Sequence, residues 1–386
     1  MTEVRVNRKA ARRVASGHPW IFESDVLDTG GASAGAVVKV IDPGGRALGT
    51  AHFSSTSQIA LRLLSRQVEE IGQAFFARRL AAAEAHRRQI VRDTNAYRVV
   101  HGEGDLLPAL VVDRYADYLV MQTLDQGMDA AHEWIVAALV DLFSPRGIVA
   151  RNDAAVRSRE SLPIESRVVH GEVPEVVEFQ MNGLHLRADL LHGQKTGAFL
   201  DQRENYLAAA QYARGRALDC FTSTGGFALH LARNCDAVEA LDSSGAALSV
   251  AGRNAALNGI TNIDFREADV FAVLAAYASA RRQFQTVVLD PPAFAKSRST
   301  LDDAIRGYKE INLRALRLLG PGGILVTCSC SHHLSEAALL ETVAQASLDA
   351  GRQLRVLERR SQSQDHPILL TVRETHYLKC LILEVL

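Results

Sequence analysis

From Met181 onward the chain alternates short apolar runs with segments of helical period, and that alternation leaves few folds open. The spacing predicts strands over 216–220, 237–241, 263–266, 286–290 and 323–327, separated by helices over 226–233, 244–257, 270–278 and about 302–319. A helix over 201–212 precedes the first strand and one over 335–350 follows the fifth. Regular strand–helix repetition requires a parallel sheet with helices on both faces. Two last strands, near 354–358 and over 377–385, have no helix between them, so they must be antiparallel neighbours or a hairpin.

The 386 residues exceed one ordinary core, and the texture of the sequence divides them in three. Residues 1–70 hold short strands, VVKVID, ALGTAHF and QIALRLLS, parted by PGG and SSTS turns, which is a small β-rich domain. Residues 71–180 form an α+β middle domain: a helix over 71–91, strands in LVVDRYADYLVMQTL, a helix over 129–143 and a strand at 147–150. Residues 181–386 are the α/β domain. The start lacks the apolar stretch of a signal peptide and no apolar run could span a membrane, so a cytoplasmic protein is expected. Five scattered cysteines form neither a disulfide framework nor a metal pattern; they are expected as free thiols, with no metal.

A formal net charge of -1 gives no general attraction for nucleic acid, so any such binding must rest on local patches. Arg5, Arg8, Lys9, Arg12 and Arg13 form one candidate. Arg78, Arg79, Arg87, Arg88 and Arg92 along the 71–91 helix form another. Each is equally readable as a solvated helix face.

Chemistry gathers at the strand ends, where open α/β sheets hold their ligands. The fourth strand delivers Asp290-Pro291-Pro292-Ala293-Phe294: a carboxylate, a stiff turn and an aromatic. The fifth delivers Cys328-Ser329-Cys330. A carboxylate, a flat side chain and thiols suit a planar hydrogen-bonding substrate, and a nucleobase fits. The first strand ends in ALDCFTSTGGFALHLA, placing Asp219 at its tip. There Gly225 and Gly226 allow close backbone approach, and the helix that follows can offer N–H groups. Asp242 ends the second strand, positioned for the hydroxyls of a ribose. Asp269 follows the third. Read bluntly, the glycines are a tight turn and Asp242 a helix N-cap. The glycine spacing is not G-x-G-x-x-G, which argues against a nicotinamide or flavin dinucleotide, whereas S-adenosylmethionine carries no phosphate and is served by a looser pair.

The strings QKTGAFLDQRENY, CFTSTGGFALHLA, LDPPAFAKS, TCSCSHH and ETHYLKC make the segment 181–386 similar to class I S-adenosylmethionine-dependent methyltransferases with a Rossmann-like fold. With GHPWIF and HGEGDLLPALVVDRY in the N-terminal half, the whole chain resembles the bacterial 23S rRNA 5-methylcytosine methyltransferases that carry an N-terminal PUA domain. The resemblance implies a PUA-type RNA-binding domain at 1–70 and S-adenosylmethionine as cofactor. The cofactor would be held by Asp219, Phe221, Thr224, Gly225, Gly226, Asp242, Asp269 and Asp290. Gln194, Lys195, Thr196, Gly197 and Phe199 would belong to its lid, continued by Asp201, Gln202 and Arg203. The implied partner is 23S rRNA or a large-subunit assembly intermediate, without a membrane, and a homodimer is compatible. One departure is Ser223, where the family often has an aromatic residue.

Carbon 5 of cytosine is a poor nucleophile, and addition of a thiolate to carbon 6 makes it enamine-like. The resemblance aligns best on Ser329 to His333 and so implies Cys330 as nucleophile, with Cys328 in reserve. Alternation along a strand end points both thiols in similar directions, which keeps Cys328 open. Cys220, Cys235 and Cys380 read as small buried hydrophobes. Asp290 would hydrogen-bond the cytosine edge, and Phe294, beside Pro291 and Pro292, would stack on the base. For the base that removes the carbon 5 proton, Asp290, a water and His332 stay open. Two other readings stand beside this one: methylation of a guanine or exocyclic nitrogen without a thiol, and a non-catalytic RNA-binding assembly factor.

Overall fold

The PGG turn works as expected: Asp42 accepts from the backbone N–H groups of Gly44 and Arg46, and the chain reverses from β4 (Val37–Ile41) into β5 (Ala47–Phe53). The computed structural model describes residues 1–193, 195–294 and 301–386. Contacts divide it into two units: Met1–Gly183 with Ala188–Ala198 and Gln364–Thr375, and Leu184–Arg187 with Phe199–Ser363 and His376–Leu386.

In the first unit the basic start folds into β1 (Thr2–Val6) and α1 (Arg8–Ala15), the helix capped by Asn7, whose side chain accepts from the Ala10 N–H. With β2 (Trp20–Ile21), β3 (Val26–Asp28) and β6 (Leu61–Ser65) these strands make a six-stranded sheet in the order β2-β6-β5-β4-β1-β3. Its buried face carries Val4, Val6, Ile21, Val38, Val40, Phe53 and Leu61. A second sheet, ordered β11-β10-β9-β8-β7, is built from β7 (Ala96–His101), β8 (Leu110–Tyr115), β9 (Tyr118–Thr123), β10 (Gly147–Asn152) and β11 (Glu165–Gly171). It has its own core, to which α2 (Gln73–Ile90) and α4 (His132–Phe143) contribute Phe75, Phe76, Leu80, Ile135 and Leu139. Short helices α3 (Gln126–Ala130) and α5 (Val156–Arg159) and strand β12 (Val177–Met181) complete the middle stretch. Trp20 of GHPWIF donates to Glu103 of HGEGD at 2.7 Å, so the two N-terminal signature strings meet.

The second arginine cluster is divided, since Arg78, Arg88 and Arg92 are exposed and Arg79 is half-buried. Arg87 is fully buried, paired with Asp105 and donating to the Asp365 carbonyl, while Arg78 and Arg88 pair with Glu69 and Glu84. In the first cluster Lys9 and Arg13 are taken up by Asp25, and Arg8 and Arg12 stay exposed.

After β13 (Leu184–Ala188), the second unit alternates as expected. It runs through α6 (Arg203–Tyr212), β14 (Arg216–Cys220), α7 (Gly226–Leu231), β15 (Ala237–Asp242), α8 (Gly245–Leu257), β16 (Ile263–Glu267) and α9 (Val270–Ser279). It continues with β17 (Phe284–Leu289), α10 (Leu301–Arg317), β18 (Leu319–Ser329), α11 (Glu336–Asp349), β19 (Leu354–Arg360) and β20 (Lys379–Val385). The sheet order is β16-β15-β14-β17-β18-β20-β19, so the last strand inserts between the two before it and is antiparallel to both. The five parallel strands therefore end on one edge, and β20 begins there. Strands buried on both faces explain the unbroken apolar runs TVVL and ILVT.

Candidate functional site

The order reverses at β14, flanked by β15 and β17, which is where an open α/β sheet leaves a crevice. The turn leaving β14 is conformationally costly. Phe221, Ser223 and Gly225 all have positive φ, at 65°, 49° and 89°. A bulky residue in that region costs about 1–2 kcal/mol, and such strain persists where the surroundings over-determine it, commonly at ligand sites. Here they do. The Thr222 N–H donates to the Leu241 carbonyl, the Gly225 N–H to the Thr222 carbonyl, and the Ser223 N–H to the Asp242 carboxylate at 2.8 Å. Gly226 packs so tightly that a Cβ there would lie 2.4 Å from the Tyr206 ring.

Asp219 is fully buried. One carboxylate oxygen accepts from the Thr222 hydroxyl at 2.6 Å and the Ala228 N–H at 2.9 Å; the other finds no partner among the described residues. Burial, reinforced by the Asp290 charge, pushes its carboxyl up to about 7 against those two hydrogen bonds. Asp242 ends β15 half-buried. Each of its oxygens accepts one backbone N–H, from Ser223 and Ser244, which leaves each a lone pair for a further donor. Asp269 caps α9, accepting from the Phe271 N–H at 2.8 Å, and its exposed position also lines a cleft of about 510 Å³. Phe221, Ser243, Glu267, Ala268 and Val270 line the rest. Glu267 and Ser243 escaped sequence reasoning although each adjoins or nearly adjoins a selected carboxylate.

These residues fit S-adenosylmethionine. Asp242 keeps acceptor capacity for a ribose diol, the cleft suits a nucleoside, and the Phe221–Gly226 turn brings backbone to its rim. Thr224 lies within that turn, between Ser223 and Gly225.

Across the crevice Asp290 follows β17, accepting from Gln202 Nε2 at 3.0 Å. Gln202 is itself held by Asn205, at 2.7 Å. Pro291 is buried and Pro292 exposed. Phe294 is half-buried, its ring 4.7 Å from Tyr308 of α10 and 5.9 Å from Phe271 of α9, with Gly307 leaving it room. The two thiols part company: Cys328 is 0% exposed, opposite Cys380 in the β18–β20 ladder, with burial pushing its thiol far up, whereas Cys330 lies just past the strand and is partly exposed. Ser329 and Ser331 on either side of Cys330 both reach the buried Tyr308 hydroxyl, at 2.9 and 3.1 Å. Tyr308 carries no local sequence mark, and Lys379, which donates to the Ser331 carbonyl at 2.7 Å, lies in the string ETHYLKC without having been singled out as a site residue.

Of the expected lid, Arg203 opens α6, buried, its guanidinium paired with Glu204. Thr196 is buried in the first unit, donating to Asp113 at 2.6 Å. Gly197, at φ 144°, lies against Tyr115, Leu190 and Ala188, and Lys195 is exposed. Gln194 lies outside the described residues. His332 is exposed, its ring 5.6 Å from that of Tyr377.

Comparison with known proteins agrees with this geometry. Residues 4–66 match the PUA-like domain and residues 154–382 the S-adenosylmethionine-dependent methyltransferases. A protein of Tolumonas auensis named ribosomal RNA large subunit methyltransferase I is 40% identical over 396 residues, covering 100% of both chains. Its namesake in Shewanella amazonensis is 40% identical over 377 residues, covering 95% of each. Among solved structures, a methyltransferase complexed with SAH superposes with a TM-score of 0.86 at 18% identity, and a SAM-dependent methyltransferase of Streptococcus mutans with 0.84 at 19%, each covering 100% of both chains. With a PUA-like domain before a Rossmann-like catalytic domain, the chain belongs to the S-adenosylmethionine-dependent methyltransferase family.

Proposed function

We propose that this enzyme methylates carbon 5 of a cytidine in 23S rRNA, with Cys330 as nucleophile. The observation that carries the reading is the partly exposed thiol of Cys330 at the same sheet edge as Asp290, while the only other thiol nearby on that strand, Cys328, is sealed in the sheet. Full-length similarity to proteins named ribosomal RNA large subunit methyltransferase I supports the substrate class. The PUA-like domain supports RNA as the partner.

S-adenosylmethionine, when bound, supplies an electrophilic methyl group. The chain's own residues prepare the base. The Cys330 thiolate adds to carbon 6, forming an S–C bond and shifting electron density to carbon 5. Asp290, steadied by Gln202, holds a proton at N3 of the cytosine edge, which offsets the negative charge that develops on the ring as sulfur adds. Once carbon 5 has gained the methyl group and lost its proton to a base, the S–C bond breaks and its electron pair returns to sulfur. Asp219 and Asp242 order the turn on the cofactor side, and Phe294 with Pro291 and Pro292 shapes the base side.

RNA carrying 5-fluorocytosine tests this directly, because fluorine cannot leave as a proton does. A covalent protein–RNA adduct is expected from the native chain and from Cys328→Ala, and none from Cys330→Ala, which should also lose methylation of 23S rRNA by nucleoside mass spectrometry. Methylation that survives loss of both thiols would remove the carbon 5 mechanism and favour a nitrogen target.

A further inference from the structure

Lys379 opens β20 directly opposite Ser329, the last residue of β18 and the one before Cys330. Its side chain is nearly inaccessible, 3% exposed, an unusual state for a lysine. The ammonium donates to the Ser331 carbonyl at 2.7 Å and the Tyr377 carbonyl at 2.8 Å, and among the described residues it forms no ion pair with a carboxylate. Two carbonyl dipoles do not neutralise a buried charge, and an anion close by would stabilise it there. Cys330, the residue before the gripped Ser331, and Glu336 of α11 are the acidic groups that act on it, and Glu336 is itself paired with Arg359. Burial pushes the ammonium down to about 8, with Cys330 and Glu336 working against that, so it is charged at neutral pH.

The backbone around Cys330 is fixed from two sides. Ser329 and Ser331 hold the Tyr308 hydroxyl of α10, and Lys379 grips the Ser331 carbonyl. Among the described residues, the titratable groups around this strand end besides Lys379 are Tyr308 of α10, Glu336 of α11 and His332 two residues along the chain, with Asp290 following the neighbouring β17.

We propose that the buried ammonium of Lys379 is the positioning cation that holds Cys330 as the thiolate. This rests on Cys330 being the nucleophile of the proposed reaction. The proton leaves sulfur for solvent, the ammonium keeps all its own protons, and it again faces a thiolate when the S–C bond breaks. Lys379 thus acts through Cys330 and not on the base.

The test is the pH profile of Cys330 alkylation by iodoacetamide, read by peptide mass spectrometry on the full chain. The native midpoint is expected below the roughly 8.5 of a free cysteine. Lys379→Gln keeps donors for the carbonyls without the charge and should raise the midpoint by about one unit, slowing alkylation at pH 7 about tenfold. Lys379→Arg keeps the charge and should retain a low midpoint; continued protection of Cys328 in the same digest reports an intact fold. An unchanged midpoint in Lys379→Gln, or equal rises in both variants, overturns the pairing. The proposed function fails separately: a midpoint raised by Lys379→Gln, with methylation that survives Cys330→Ala, upholds the pair and removes the nucleophile.

Discussion

Asp219 shows how much a single side chain can report about this site. Its carboxyl, held at about 7 by burial, keeps a proton that the unfolded chain, at about 3.9, has already lost. Between roughly pH 4 and pH 7 the native state therefore binds more protons than the unfolded one, and stability falls as pH rises through that window and levels above it. Asp219→Asn should remove this share of the slope, which is at most about 1.4 kcal/mol per pH unit. Urea titrations of both proteins from pH 5 to pH 8 would check it: the difference between their stabilities should change over the window, and a constant difference contradicts the assignment. At this scale sequence was a partial guide. Asp219, Asp242, Asp290 and Cys330 are legible because each ends an apolar run. Tyr308 and Lys379 are not, because one sits inside an amphipathic helix and the other in a strand whose burial depends on where that strand inserts. The same dependence separates Cys328 from Cys330, which alternation alone leaves equivalent.

Two glycines in helices of the second unit make opposite demands on the elements that carry them. Gly252 lies inside α8 with nothing within 4 Å of a built Cβ, so Gly252→Ala should gain about 0.5–1 kcal/mol from helix propensity alone. Gly226 opens α7, where the same propensity is overwhelmed: a Cβ would lie 2.4 Å from the Tyr206 ring, and relief would have to come from moving α6 or the Phe221–Gly226 turn. Overpacking of this kind costs typically about 1–3 kcal/mol. Gly226→Ala should lower both the denaturation midpoint and the affinity for S-adenosylmethionine by calorimetry, while Gly252→Ala raises the first and leaves the second alone. A stabilised Gly226→Ala protein would mean that the turn is loose. The elements themselves were legible wherever strands are buried on both faces, as in β14, β15, β17 and β18. Strands β1, β7 and β11 were missed because TEVRV, AYRVVH and ESRVVHG mix charge into short runs. The position of β20 between β18 and β19 has no local signal at all.

Across the whole molecule the balance of charge is nearly even, so contact with a polyanion must come from where cations are placed. Most arginines of the first unit serve its own structure. Arg62 lies buried between Glu160, at 2.9 Å, and Asp125, at 3.4 Å; Arg157 pairs with Asp129, and Arg98 with Asp113. Deleting residues 1–70 would strip Glu160 and Asp125 of their cation, and removing one partner of a buried pair costs about 3–5 kcal/mol. Loss of RNA binding after that deletion would thus report unfolding as readily as a missing anchor. Arg8 and Arg12 avoid the difficulty. Both are exposed on α1, form no ion pair among the described residues, and border a cleft shared with Asp42, Pro43, Gly44 and Arg46. If the PUA-like domain anchors 23S rRNA through its phosphates, replacing both by alanine should weaken RNA binding evenly across sequences. It should also flatten the dependence of log affinity on log salt by roughly 1.5, the release expected from two lost phosphate contacts. Affinity for S-adenosylmethionine and the denaturation midpoint should not move, since neither residue carries a fold contact. An unchanged salt slope, measured on the same RNA fragment, would place the anchor elsewhere on the chain.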